Sequence, residues 1–165
     1  MILPKTREEF EYWLQQMESN RADFFLRYSH LEELLDFSIM SLDFIELLLL
    51  NKYAGIDPHQ LQKSTDSEDK IILSFCIFYI GETYRKHLDG KWDFAIFSKK
   101  EMTVGHEHPV IIRRNYEYVH TSYSVIVPSN LLWTCIHRQD GHFLSRILNV
   151  NINSFEKWNE QFKEL

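Results

Sequence analysis

The sequence predicts an α+β fold, in which a small antiparallel sheet of about three to four strands is covered by helices and one long helix is buried at the centre. Two observations predict it. Apolar residues recur with helical spacing through the first ninety residues, and from Trp92 the period changes from 3.6 to 2. Helical spacing returns after Pro128. Helices and strands that occupy separate stretches of the chain are typical of this class.

Length and composition predict a single domain over residues 1–165. The chain is 44% apolar and 25% charged, and it has only 5 Gly and 4 Pro, which favours a packed core without long flexible linkers. Within this domain we expect an N-terminal helical part over 5–90, a strand meander over 91–128 and a C-terminal helical part over 129–165.

The first helices are predicted from a cap and an apolar stripe. Thr6 can cap the first helix. Ser19-Asn20 is expected to interrupt the helical stretch, Ser41 to cap a later helix and Gly55 to end it, with residues 60–67 forming a polar loop. Four apolar residues of the first stretch share one helix face: Phe10, Trp13, Leu14 and Met17.

The longest predicted helix spans about residues 67–88. Its middle, Ile71 to Ile80, is apolar nearly all round, so we expect other elements to cover it on several sides. Gly81 removes a side chain where a neighbour can pack closely, and Glu82 is expected to pair with an arginine on the same helix. Gly90 is expected to end the helix in the left-handed conformation.

Three strands are predicted from alternation and proline positions. The first begins at Trp92, the second spans Val110 to Ile112, and the third spans Tyr123 to Val127. Ser129 and Ser154 are then expected to cap two further helices.

The charge is unevenly distributed. Residues 1–90 hold 16 acidic and 9 basic residues, whereas residues 91–165 hold 8 and 9. This balance disfavours nucleic acid as a partner and favours a basic protein, because complementary fields speed encounter. The candidate partner-binding carboxylates lie on the predicted helices: Glu8, Glu9, Glu11, Glu32 and Glu33.

Cysteine use and hydropathy predict a cytoplasmic protein that does not bind the membrane. Cys76 and Cys135 each lie in an apolar run without metal-binding spacing, which is typical of buried reduced thiols. The apolar run from Ile71 to Ile80 is too short to span a bilayer, which needs about 20 residues.

No recognisable catalytic motif or cofactor signature is present, so we expect a binding protein without catalytic residues or a cofactor. His106 and His108 could begin a zinc site, but such a site needs further ligands. A metal-assisted enzyme that uses this histidine loop is therefore an alternative, and a regulatory or structural subunit is another. Arg113-Arg114 beside Tyr116 and Tyr118 is too small and too acidic a patch to predict nucleic-acid binding.

Three ordered segments carry a resemblance. The first combines Leu35-Asp36-Phe37-Ser38 with Ser41-Leu42. The second runs from Tyr79-Ile80-Gly81-Glu82 to Asp89-Gly90-Lys91-Trp92, and the third is Val127-Pro128. In this order, over roughly residues 30–150, they resemble a group of small uncharacterised bacterial proteins, some of which look like immunity proteins of polymorphic toxin systems.

The resemblance implies an α+β fold and a bacterial, cytoplasmic setting. The function that we expect on this basis is a cytoplasmic immunity protein that neutralises one cognate toxin by occlusion. The neutralised toxin would be the partner. Glu82 and Trp92 have two interpretations, as structural residues and as partner-binding residues, and we include both among the candidates.

Overall fold

The computed structural model describes residues 2–95, 108–113 and 125–162. Within them the fold is α+β, as predicted, with a three-stranded antiparallel sheet packed against helices. The N-terminal part contains α1 (Arg7–Gln15), α2 (Met17–Arg27), a 3₁₀ helix (Ser29–Leu31), α3 (Ser41–Tyr53), α4 (Pro58–Gln62) and α5 (Ser67–His87). The rest contains β1 (Gly90–Ala95), β2 (His108–Arg113), β3 (Val125–Ile126), α6 (Pro128–Arg138) and α7 (Phe143–Phe162).

The long helix α5 is the centre of the fold, which confirms the prediction from its apolar sequence. Asp66 caps it by accepting hydrogen bonds from the amides of Glu68 and Asp69 at 2.8 and 3.0 Å. The helix packs against α2, α3, α6 and α7 and against strands β1 and β2. Its apolar middle is therefore covered from several directions, as an all-round apolar helix requires.

The sheet has the order β1-β2-β3. Trp92 of β1 lies opposite Ile111 of β2, and Ile111 lies opposite Ile126 of β3. The predicted extension of the first strand beyond Ala95 and the start of the third at Tyr123 lie outside the described residues.

Two boundary predictions in the N-terminal half are wrong. The break between α1 and α2 lies at Gln16, because Met17 is buried and continues the packed face, while the polar Ser19 is tolerated at an exposed position. The predicted loop 60–67 begins inside α4, where Asp57 accepts a hydrogen bond from the His59 amide at 2.9 Å and Leu61 is buried. Tertiary packing overrides local propensity at both places.

The structure also differs from the prediction at the helix caps. Ser41 is the first residue of α3, and the hydroxyl of Ser38 accepts its amide at 3.2 Å. Val127 precedes α6, with Pro128 rather than Ser129 as the first helical residue, a position that suits proline because no amide is needed there. Ser154 lies inside the continuous helix α7 and donates to the carbonyl of Val150 at 2.8 Å.

Gly90 is not left-handed. The residue with positive φ at the end of α5 is Asp89, at 48°, and Gly90 already belongs to β1. A Cβ at Gly90 would lie 2.5 Å from Cγ2 of Ile111 on the neighbouring strand. Close approach of a side chain therefore explains this glycine.

In the part of the chain that the structure describes, no helix is both long and apolar enough to cross a bilayer.

Candidate functional site

The segments that carry the sequence resemblance meet around one turn of α5, Tyr79–Glu82. The connection before α3 contacts this turn through Phe37 and Ser41, and the sheet contacts it through Trp92. Pro128 at the start of α6 lies beside the same turn. Local sequence patterns did not predict this meeting, because the segments are separated by tens of residues.

Tyr79 holds the connection between the 3₁₀ helix and α3. Its hydroxyl oxygen accepts a hydrogen bond from the Phe37 amide at 2.7 Å and donates to the Ser41 hydroxyl at 2.6 Å. Burial raises the pKa of Tyr79, so the hydroxyl stays protonated and can act as this donor. The ring also stacks on Phe37, with centroids 4.6 Å apart.

Phe37 has an unusual backbone conformation, with φ of 62°. Such values are uncommon for residues other than glycine and cost free energy unless the surroundings hold them. The amide of Phe37 bonds Tyr79, its carbonyl lies 3.2 Å from Nε2 of His87, and Lys86 Nζ lies 3.7 Å from its ring centroid. Phe37 is thus held at backbone and ring.

Gly81 makes room for Trp92. A Cβ at Gly81 would lie 2.1 Å from the indole of Trp92 and 3.0 Å from Cγ of Pro128, so the close packing predicted for this glycine is confirmed. The Trp92 ring stacks on Phe78 at a centroid distance of 6.0 Å and meets Trp13 edge-on at 5.6 Å. Trp92 therefore packs between α1, α5 and the sheet.

The carboxylate of Glu82 accepts hydrogen bonds from two neighbouring side chains. Arg85 donates from Nε to Oε1 at 2.9 Å and from Nη2 to Oε2 at 3.0 Å, which confirms the predicted pair. The indole nitrogen of Trp92 also donates to Oε1. The hydrogen bond to Glu82 raises the pKa of Arg85. Since the Glu82 side chain is only 13% exposed, this pair is better shielded than a surface ion pair.

A cavity of about 120 Å³ lies next to this turn. Two carboxylates and one guanidinium line it, from Glu18, Arg21 and Glu82. The remaining wall is apolar and mostly aromatic, and the sequence analysis did not bring its residues together: Phe25, Leu35, Phe37, Phe75, Phe78 and Tyr79.

The carboxylates predicted to bind a partner lie on two separate elements of the fold. Glu8 and Glu11 are exposed on α1, where Glu9 is half-buried and accepts the Lys5 amide at 2.7 Å. Glu32 and Glu33 are exposed after the 3₁₀ helix. The two groups are separated by the 11 residues of α2, a rise of about 16 Å.

Tyr12 was missed by the sequence analysis. It lies between the α1 carboxylates and is 58% exposed, whereas Phe10 and Trp13 on the other side of the helix are buried. Its position on the polar side of the predicted apolar stripe is the signal that could have identified it. An exposed tyrosine among carboxylates is a candidate contact residue.

Among the described residues, no three or more His, Cys, Asp or Glu side chains gather into a group that could hold a metal ion. His106 lies outside the described residues, and His108 belongs to β2. Burial raises the pKa of the Cys76 and Cys135 thiols, which opposes the reactive thiolate form.

The described part of the predicted Arg113-Arg114 patch is not a free cationic surface. Arg113 is 7% exposed and donates to the side-chain oxygen of Asn151 at 2.9 Å. Arg114, Tyr116 and Tyr118 lie outside the described residues.

Comparison of the chain with protein-family models, with curated proteins and with solved structures finds no match.

Proposed function

We propose that this is a binding protein, and that it is a cytoplasmic immunity protein which neutralises one cognate bacterial toxin by covering the toxin's active or substrate site. The observation that carries the proposal is the outer face of α1, defined by Glu8, Glu11, Tyr12 and Gln15, all of which are exposed. The resemblance of residues 30–150 to bacterial proteins that look like immunity proteins supplies the class of partner.

The α1 outer face combines the two features that a protein interface needs. Glu8 and Tyr12 are four residues apart, so they are neighbours on the helix surface. Carboxylates attract a basic surface from a distance, and a tyrosine supplies a large contact area with little conformational freedom to lose. The acidic excess of the chain lies in residues 1–90, the part that includes α1.

The helix that carries this face is also anchored to the rest of the fold. Thr6 caps α1 by accepting the Glu9 amide at 3.1 Å, and the indole of Trp13 donates to Ser74 of α5 at 2.8 Å. Arg7 donates to the carboxylate of Asp93 in β1 at 2.9 Å. A surface held in this way binds with little ordering cost, as occlusion of an enzyme site requires.

The test is co-expression with the protein encoded by the neighbouring gene, followed by growth measurement and co-purification. We expect the wild-type chain to restore growth and to form a stoichiometric complex. Tyr12→Ala should weaken the complex at least about tenfold, because truncated aromatic anchors commonly cost this much. Leu26→Ala is the matched control, since Leu26 is 84% exposed on α2, outside the α1 outer face.

Two outcomes would count against the proposal. Failure to form a complex or to restore growth would remove the immunity function for that pair. Equal weakening by Tyr12→Ala and Leu26→Ala would remove the α1 outer face as the contact surface. A stable complex with a neighbouring protein that is not toxic would instead support a regulatory subunit.

A further inference from the structure

We propose that the cavity beside Tyr79 and Glu82 is a separate binding site for one small aromatic ring that carries a hydroxyl donor, the chemistry of a phenol. This site does not depend on the toxin-binding function and lies apart from the α1 outer face. Four features of the cavity select this ligand: its size, its lining, its charges and the acceptor that Glu82 offers.

The size and lining select a single ring. An apolar cavity of about 150 Å³ accommodates benzene. The cavity in this chain has about 120 Å³ and is partly open, so a phenyl-sized group can enter with one end toward solvent. Five of the six apolar lining side chains are aromatic, from Phe25, Phe37, Phe75, Phe78 and Tyr79. Aromatic rings pack favourably edge-to-face or offset against other rings.

The charges at the cavity favour a neutral ligand over an ion. The exposed Glu18 and Arg21 carry opposite charges, and Arg85 neutralises Glu82 through two hydrogen bonds. A charged ligand would lose its hydration on entering the cavity and would meet no net opposite charge there. This loss costs free energy in a largely apolar site.

Glu82 supplies the hydrogen-bond acceptor. A carboxylate offers about four lone-pair sites. Among the described residues, Oε1 receives Arg85 Nε and Trp92 Nε1, while Oε2 receives only Arg85 Nη2. Oε2 can therefore accept one more donor. Tyr79 offers no comparable group, since its hydroxyl already accepts from Phe37 and donates to Ser41.

The wall is held in place before any ligand arrives. Phe37 keeps a strained φ of 62° because Tyr79, Lys86 and His87 hold its backbone and ring. Strain of this kind persists where the surroundings over-determine it, which is frequent at ligand sites. A preformed wall lowers the ordering cost of binding.

The experiment titrates the purified chain with phenol and with toluene, which have the same shape but differ in the donor, and follows the chemical shifts of residues throughout the protein. We expect saturable binding of phenol with shift changes centred on the cavity residues. Toluene should bind at least about tenfold more weakly, because a hydrogen bond to a charged acceptor is worth at least that factor.

Leu35→Phe should fill the cavity and abolish phenol binding. Leu26→Phe is its control, because it makes the same substitution at an exposed position of α2. The wild-type shift map gives an independent readout if Leu35→Phe does not fold. Shift changes away from the cavity, no saturation with either compound, or equal affinity for phenol and toluene would overturn the proposal.

N-acetyl-tyrosinamide distinguishes two sources of the phenol group, a tyrosine side chain of a protein and a free small molecule. If it binds at least as well as phenol, the natural occupant is a tyrosine side chain of a protein. If only phenol binds, the occupant is a free small molecule. Either result can be obtained whether or not the neighbouring gene product is a toxin, so this test and the test of immunity fail independently.

Discussion

Gly81 allows α5 and the sheet to pack closely against each other. Glycine inside a helix normally lowers stability by up to about 1 kcal/mol relative to alanine, so its presence here needs a reason. The reason is the indole of Trp92, which occupies the space of a Cβ. Trp92 in turn donates to Glu82 one position along the helix.

We predict that Gly81→Ala lowers the free energy of unfolding by about 1 to 3 kcal/mol, because overpacking displaces Trp92 and Pro128. Helix propensity alone predicts the opposite sign, a gain of up to about 1 kcal/mol. Urea unfolding decides between them. Gly81→Ala with Trp92→Phe should lose less than the sum of the two single variants, since the residues touch. A Gly81→Ala protein as stable as the wild type would show that this contact is not tight.

Some residue contacts of the candidate site could be predicted from the sequence alone, and others could not. The Glu82–Arg85 pair was predictable because helix spacing brings the two side chains together. Close packing at Gly81 was predictable because a glycine in an apolar helix leaves room for a neighbour. The contact of Phe37 with Tyr79 was not, because it joins residues 42 apart in the chain. Nor was the positive φ of Phe37, since only its neighbours make that conformation acceptable.

At the scale of elements, α3 and α7 are joined by a buried carboxylate. Glu46 is fully buried and accepts hydrogen bonds from the amides of Gly141 and Leu144 at 2.7 and 2.9 Å. The first amides of a helix lack partners within it and favour negative charge. The carboxylate of α3 therefore satisfies two amides at the start of α7.

This contact also explains why the local sequence predicts α5 well and does not predict the start of α7. The start of α5 has its own cap in Asp66 and a local apolar pattern. The start of α7 depends on Glu46, which lies 95 residues before Gly141. Within its own helix Glu46 resembles an ordinary surface residue, so no local pattern could reveal its partner.

We predict that Glu46→Ala lowers the free energy of unfolding by about 2 to 4 kcal/mol, because two amides lose a charged acceptor in a buried place. Glu46→Gln should lose less, since a neutral carbonyl oxygen can still accept. Amide hydrogen exchange at Gly141 and Leu144 should accelerate in the alanine variant. Glu33→Ala is the control at an exposed carboxylate and should stay within about 0.5 kcal/mol of the wild type. Equal stability of the two alanine variants would contradict the role of Glu46.

At the scale of the whole molecule, the fold class was predictable because helical and strand periods occupy separate stretches of the chain. Burial of α5 was predictable because its apolar residues, from Ile71 to Ile80, surround the helix. The aromatic cavity was not predictable, because Phe25 and Phe75 come from different helices and meet only after packing. The uneven charge was visible in sequence, but the separation of Glu11 from Glu33 by α2 was not.

The buried ionisable groups make the molecule sensitive to alkali. Burial raises the pKa of the Cys76 and Cys135 thiols in the folded state, whereas unfolded thiols titrate near about 8.5. The unfolded chain then binds fewer protons than the folded one above that pH. Stability therefore falls as pH rises.

We predict that between about pH 8.5 and about pH 9.5 the free energy of unfolding falls by roughly 1 kcal/mol for each of these thiols, and that the slope approaches about 1.4 kcal/mol per pH unit above this range. Urea unfolding at several pH values measures the slope. Replacing both cysteines by alanine should flatten it over this range. A slope unchanged by these substitutions would show that other groups control alkaline stability.

Association kinetics measure whether a basic protein partner is attracted to the α1 outer face. The measurement is the on-rate of the complex with the neighbouring gene product at about 0.01 M and about 0.15 M salt, where the Debye length falls from about 30 to about 8 Å. Glu8→Gln/Glu11→Gln and Glu32→Gln/Glu33→Gln remove the same charge from two places. We expect the wild-type on-rate to fall with salt, and the first variant to associate several-fold more slowly than the second at low salt. An on-rate that is independent of salt, or equal in the two variants, would show that the charges of the α1 outer face do not attract the partner.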